Sequence, residues 1–162
     1  MSQAKHSALF PQIPGEQWGV SATIASRKCP SAMEPERPKG RVLVVEDDPL
    51  ILLDVIRTLE RAGFEVASAM RGLAAVREFE SASAAGQAPD VVLMDVNLGH
   101  GMDGIEAATL IRGMNPEVAI VFRTAYSDTQ TRQRTECVRP FAFLDKSAQR
   151  QDLLRTVQAA AE

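Results

Sequence analysis

The stretch DVVLMDVNLGHGMDG, Asp90 to Gly104, decides the fold. Its four consecutive apolar residues, Val91 to Met94, have the character of a strand buried on both faces, since a half-exposed strand alternates apolar with polar. They run straight into Asp95. A carboxylate at the end of a buried strand is costly unless something uses it. Asn97 and a glycine-containing loop follow, then a helical pattern from Gly104 to Met114. A buried strand, a polar loop and a helix make one unit of an α/β fold, provided the unit repeats.

It does repeat. Working outward, apolar runs recur at Val42 to Val45, Val118 to Phe122 and Phe141 to Leu144, all unbroken enough to suggest burial on both faces. A weaker run, Phe64 to Ser68, alternates and reads as an edge strand. Leu52, Val55, Ile56 and Leu59 share one helical stripe, opened by Asp48 as N-cap with Pro49 at the first helical position and closed by Gly63. Further helices are expected at Leu73 to Ser81, Asp128 to Val138 and Ala148 to Ala161; Leu153, Val157 and Ala160 give the last its apolar face. Strand and helix alternate five times, which predicts an α/β fold: a doubly wound, five-stranded parallel sheet with helices on both sides.

The 162 residues fit one domain. Five of the nine prolines precede Gly40, and residues 1–39 show little periodicity, so they read as a disordered Pro-rich N-terminal tail. Trp18 and Phe10 offer a short docking segment as the alternative. Met33 could start a chain that works without the residues before it. Residues 40–162 form the expected domain. A net charge of −3 gives no basic excess, so DNA binding is not expected. Cys29 and Cys137 have neither metal-ligand spacing nor the numbers for a disulfide framework. No apolar run is long enough to cross a bilayer and the N-terminus lacks a signal-peptide core, so a cytoplasmic setting is expected.

All strands of a parallel sheet end at one edge, where ligands bind. Glu46, Asp47 and Asp48 follow the first run, Asp95 the third, Thr124 the fourth and Lys146 the fifth. Carboxylates from adjacent strand ends repel, by about 4 kcal/mol at ~4 Å and an intermediate dielectric, so a cation is required. Oxygen-only ligands point to Mg²⁺. With a hydroxyl and an ammonium beside it, the site reads as a socket for a phosphoryl group. Asp95, alone at its strand end, is the acceptor, and Glu46 and Asp47 are placed to hold metal.

The segments VLVVEDDP, VVLMDVNL, MDGIEAA, FRTAYSD and FLDKS, in this order, resemble the receiver domain of bacterial two-component response regulators, from about Gly40 onward. The resemblance implies strand order 2-1-3-4-5 and phosphorylation of Asp95 from the phosphohistidine of a sensor histidine kinase or a histidine phosphotransfer protein. It implies Asp47 as the more direct Mg²⁺ ligand of the Glu46–Asp47 pair, and a metal contact from the backbone carbonyl of Asn97. It implies Thr124 as the switch hydroxyl, Lys146 as the lysine that pairs with the phosphoryl group, and Phe143 as the aromatic that turns inward on activation. Tyr126 falls at a position that influences access to the phosphoryl group. The fourth helix, last strand and last helix would be the output surface, for an effector protein or a homodimer. The added charge, about −1.5 to −2, would act through Thr124 and Lys146 on a two-state surface.

Three positions depart from that pattern. Ser147 stands where a proline with a cis bond is usual; cis before serine costs about 2.5–4 kcal/mol, so a trans bond or a strained loop is expected there. The loop from Asn97 to Gly104 is one residue longer, with Gly99 in place of a frequent proline. Glu46 replaces the commoner aspartate. Plainer readings stand beside the functional ones: Asp48 a helix cap, Thr124 a strand-end threonine, Lys146 a surface charge, Phe143 core, His100 an exposed loop histidine rather than a base, and Tyr126 an exposed aromatic. Arg132, Arg134 and Arg139 make either a solvated face or a surface for an acidic partner.

A haloacid dehalogenase-like phosphatase needs a second acid two residues after its nucleophile, where this chain has Asn97. A flavodoxin-like cofactor binder needs a phosphate loop where Glu46, Asp47 and Asp48 would repel phosphate. The expectation is a stand-alone phosphoacceptor domain that is not an enzyme and acts through another protein. A receiver that serves only as a phosphorylation-independent interaction module is the alternative.

Overall fold

The computed structural model describes residues 38–125 and 129–162. Residues 1–37 of the tail, with Trp18, Cys29 and Met33, therefore lie outside the described residues, as do Tyr126 and Asp128. Strand β1 (Arg41–Val45) leads into helix α1 (Pro49–Arg61), β2 (Glu65–Ala69) into α2 (Gly72–Ala84), and β3 (Val91–Met94) into α3 (Gly104–Met114). Then come β4 (Ala119–Thr124), α4 (Thr129–Thr135) with a 3₁₀ turn at Glu136–Val138, β5 (Ala142–Asp145) and α5 (Arg150–Ala161). All pairings are parallel and the order is β2-β1-β3-β4-β5. The alternating run at residues 64–68 does form an edge strand.

The apolar runs serve two cores because successive side chains of a strand face opposite ways. Leu43, Val45, Val92, Met94, Ile120 and Phe122 pack with Phe79 of α2 and Ala107, Ala108 and Ile111 of α3. Val42, Val44, Val91, Leu93 and Val121 pack with Leu52, Val55 and Leu59 of α1 and Leu153 and Val157 of α5. Asp48 caps α1, its side chain accepting hydrogen bonds from the Leu50 and Ile51 amides at 2.8 and 3.2 Å. Gly63, just past that helix, takes φ +93, a conformation only glycine adopts cheaply.

Three expectations need correction. The run Phe141 to Leu144 is not buried on both faces: β5 is the other edge of the sheet, Ala142, Phe143 and Leu144 are half-buried, and Phe141 is 52% exposed. An apolar run reports burial, but it does not report that a neighbour covers both sides. The fourth helix is shorter than the periodicity suggests. After Thr135 it tightens to a 3₁₀ turn that ends at Arg139 in the left-handed region (φ 50), ahead of Pro140, which disfavours the helical conformation in the residue before it. The last helix begins at Arg150, because Asp145 captures the Ser147 amide at 2.7 Å and folds the intervening residues into a turn.

Candidate functional site

The sheet topology brings the ends of β1, β3, β4 and β5 to one edge. Glu46 follows β1 and is held there by its amide, which donates to the Ala69 carbonyl at 3.1 Å; Asp95 is held likewise by its amide on the Val45 carbonyl at 2.9 Å. Glu46, Asp95 and Thr124 are all buried, while Asp47 and Asn97 are exposed. The Lys146 amide donates to the Thr124 carbonyl at 3.2 Å, tying the start of the β5–α5 turn to β4.

Behind Asp95 the chain turns sharply. The Gly104 amide bonds the Val96 carbonyl at 3.0 Å, and a Cβ on Gly104 would lie 1.8 Å from the Asp95 carbonyl oxygen. Only glycine lets α3 start against the strand end. Asp103 secures that start with a capping box: its carboxylate accepts from the Ile105 and Glu106 amides, and Glu106 accepts from its amide. Gly99 and Gly101 adopt φ +66 and +103, so the longer loop uses its glycines for left-handed turns.

The charges form one connected group. The Lys146 ammonium donates to Glu46 Oε1 and to Asp95 Oδ2, both at 2.7 Å. Asp95 Oδ1 accepts from the Asn97 amide at 3.3 Å. Burial, the strongest influence on Glu46, raises its pKa from the ordinary 4.5 and outweighs the hydrogen bond and charge of Lys146. Burial also acts to lower the pKa of Lys146, but its hydrogen bonds and charge pairing with Asp95 and Glu46 prevail and raise it above 10.5.

Glu46, Asp47 and Asp95 each offer a carboxylate oxygen, and the three lie within 4.8 Å of one another. An all-oxygen donor set with one exposed and two buried carboxylates fits a hard divalent cation that keeps some of its waters. An open cleft of about 380 Å³, lined by Asp47, Met70, Arg71, Leu98, Gly99 and His100, adjoins the cluster. His100 is exposed, as a loop histidine would be.

Ser147 does not displace its neighbour. No peptide bond among the described residues is cis, and Lys146 still reaches Asp95. In place of proline, the turn is held by the Asp145 carboxylate, which accepts from both the amide and the hydroxyl of Ser147. Phe143 is half-buried and stacks on Phe122 with ring centroids 5.7 Å apart; the Arg132 guanidinium lies over its ring. Arg134 pairs with Asp103, so the arginines near α4 are not one open cationic face.

Sequence reasoning missed two arginines. Arg112 donates to the carbonyls of Pro116, Val118, Val138 and Arg139, closing the loops around α3. Arg123 lies under the site, with Nη1 3.7 Å from Glu46 Oε2 and Nη2 donating to the Lys146 carbonyl at 3.0 Å. The available signal was its charge inside an otherwise apolar strand, one residue before Thr124.

The family model for the response regulator receiver domain matches residues 42–158. The chain belongs to that family. Among its relatives, the receiver is 34% identical over 122 residues to the transcriptional regulatory protein PrrA of Mycobacterium bovis, an alignment covering 71% of this chain and 50% of PrrA. The chain thus spans about half the length of the curated relatives it matches. The solved N-terminal domain of a response regulator/sensory box/GGDEF three-domain protein from Carboxydothermus hydrogenoformans is similar at TM-score 0.66 and 32% identity, covering 75% of this receiver and 93% of that chain. Chemotaxis protein CheY4 of Vibrio cholerae superposes at TM-score 0.68 with 28% identity, covering 75% and 98%. Receiver domains are regulatory phosphoacceptors of two-component signalling, and this one carries the family's acidic pocket.

Proposed function

We propose that this receiver takes a phosphoryl group from the phosphohistidine of a sensor histidine kinase or a histidine phosphotransfer protein onto Asp95. A single observation carries the reading: a buried carboxylate at a strand end, bridged to a second buried carboxylate by one lysine, with a third within metal-sharing distance. An Asp95 carboxylate oxygen forms the new O–P bond as the donor's N–P bond breaks, and the electron pair of that bond stays with the imidazole. Asp47 and Asp95, the Asn97 carbonyl and, directly or through water, Glu46 would hold Mg²⁺, which would offset charge on the transferring group. Lys146 moves from neutralising two carboxylates to pairing with the phosphoryl oxygens, and the Thr124 hydroxyl donates to them. The half-buried Phe143 would then turn inward and alter the surface of α4, β5 and α5, where an effector protein or a second copy binds.

We assign this role to residues 40–162, with residues 1–39 as an appended tail in a cytoplasmic protein. No helix among the described residues is long and apolar enough to cross a membrane. DNA contact by the domain itself is not part of the reading. The test uses a histidine kinase autophosphorylated with labelled ATP. Label should move to the wild type within minutes and not to Asp95→Asn. Equal labelling of both proteins would refute the assignment of Asp95, and no labelling from any phosphohistidine donor would favour a phosphorylation-independent interaction module.

A further inference from the structure

Beneath the carboxylate cluster lies a cation that the proposed chemistry does not use. Arg123 is on β4, one residue before Thr124 and hence on the opposite face of the sheet, and its side chain is 14% exposed. Its guanidinium joins two strand ends: Nη1 faces Glu46 Oε2 at 3.7 Å and Nη2 donates to the Lys146 carbonyl at 3.0 Å. Nη1 is buried and makes no hydrogen bond; the carboxylate it pairs with is Glu46, while Asp95 lines the same small cavity and Asp145 also feels the charge of Arg123. Glu46 has cations at both oxygens, because Oε1 receives the Lys146 ammonium at 2.7 Å.

We propose that Arg123 is a positioning residue that holds Glu46 against Lys146 and so withholds it from direct contact with a divalent metal, leaving Asp47 and Asp95 as the metal's carboxylates. A carboxylate already shared between two cations gains little from a third and would have to give up a buried pair to reach it. The same fork anchors the Lys146 backbone in a turn where Ser147 leaves ordinary backbone freedom. Positioning of this kind orients the groups around a metal without touching it.

This inference rests on the metal reading above, and the two can fail separately. The experiment is a double-mutant cycle on Mg²⁺ affinity, measured by calorimetry on the full chain without any phosphodonor: wild type, Glu46→Gln, Arg123→Met and the double variant. Withholding predicts coupling. Glu46→Gln weakens Mg²⁺ binding only slightly in the wild type but on the order of tenfold more once Arg123 is gone, because Glu46 has then joined the metal. Two charges that merely add their fields give the same change in both backgrounds, and that result overturns the inference while leaving the metal site standing. No Mg²⁺ binding by any of the four proteins overturns both. Should Arg123→Met fail to fold, Arg123→Gln, which keeps a donor for the Lys146 carbonyl, completes the same cycle.

Discussion

Lys146 sets the balance of the site at the scale of single residues. Its ammonium hydrogen-bonds both Glu46 and Asp95, and pairing keeps its pKa above 10.5 although burial opposes it. A group whose pKa is raised by folding contributes stability below its unfolded value and loses that contribution as pH rises through the folded one. In metal-free buffer, Lys146→Met is therefore expected to melt below the wild type at pH 8. The gap should close above pH 10.5, as the wild-type ammonium loses its proton, which melting curves across that range would show. The convergence of Glu46, Asp47, Asp95, Thr124 and Lys146 was legible because a parallel sheet sends every strand end to the same edge. Arg123 was not, since its role depends on a contact across β1 and β5 that strand alternation alone does not specify.

Among the elements, the junction between β3 and α3 shows how the fold fixes the acceptor. Asp103 and Gly104 are neighbours with different duties. Removing the cap in Asp103→Ala is expected to cost about 1 kcal/mol and to leave phosphorylation of Asp95 near normal. Gly104→Ala places a methyl group against the Asp95 carbonyl, so it should cost more stability and slow phosphorylation by tenfold or more. Denaturant melts and acetyl phosphate kinetics on the two variants would separate the roles. Elements with strong local signals were readable: Asp48 and Pro49 marked the start of α1, and α3 keeps the bounds its pattern suggested. The edges were not. β5 has an apolar run without a strand beyond it, and the ends of α4 and α5 are set by Arg139–Pro140 and by the Asp145–Ser147 turn, which periodicity does not register.

Taken whole, the described fold stands on two cores that share one sheet, and both lie within residues 42–161. Because the Pro-rich residues before Gly40 show little periodicity, a chain beginning at Met33 is expected to melt within a few degrees of full length and to accept phosphoryl at the same rate, a comparison that calorimetry and labelling can make directly. The central claim concerns Asp95, and intact-mass spectrometry after incubation with acetyl phosphate, with and without Mg²⁺, tests it most simply. One phosphoryl adduct on the wild type, lost without Mg²⁺ and absent from Asp95→Asn, is the predicted result. An adduct that persists in Asp95→Asn, or none on the wild type with Mg²⁺ present, would contradict the account.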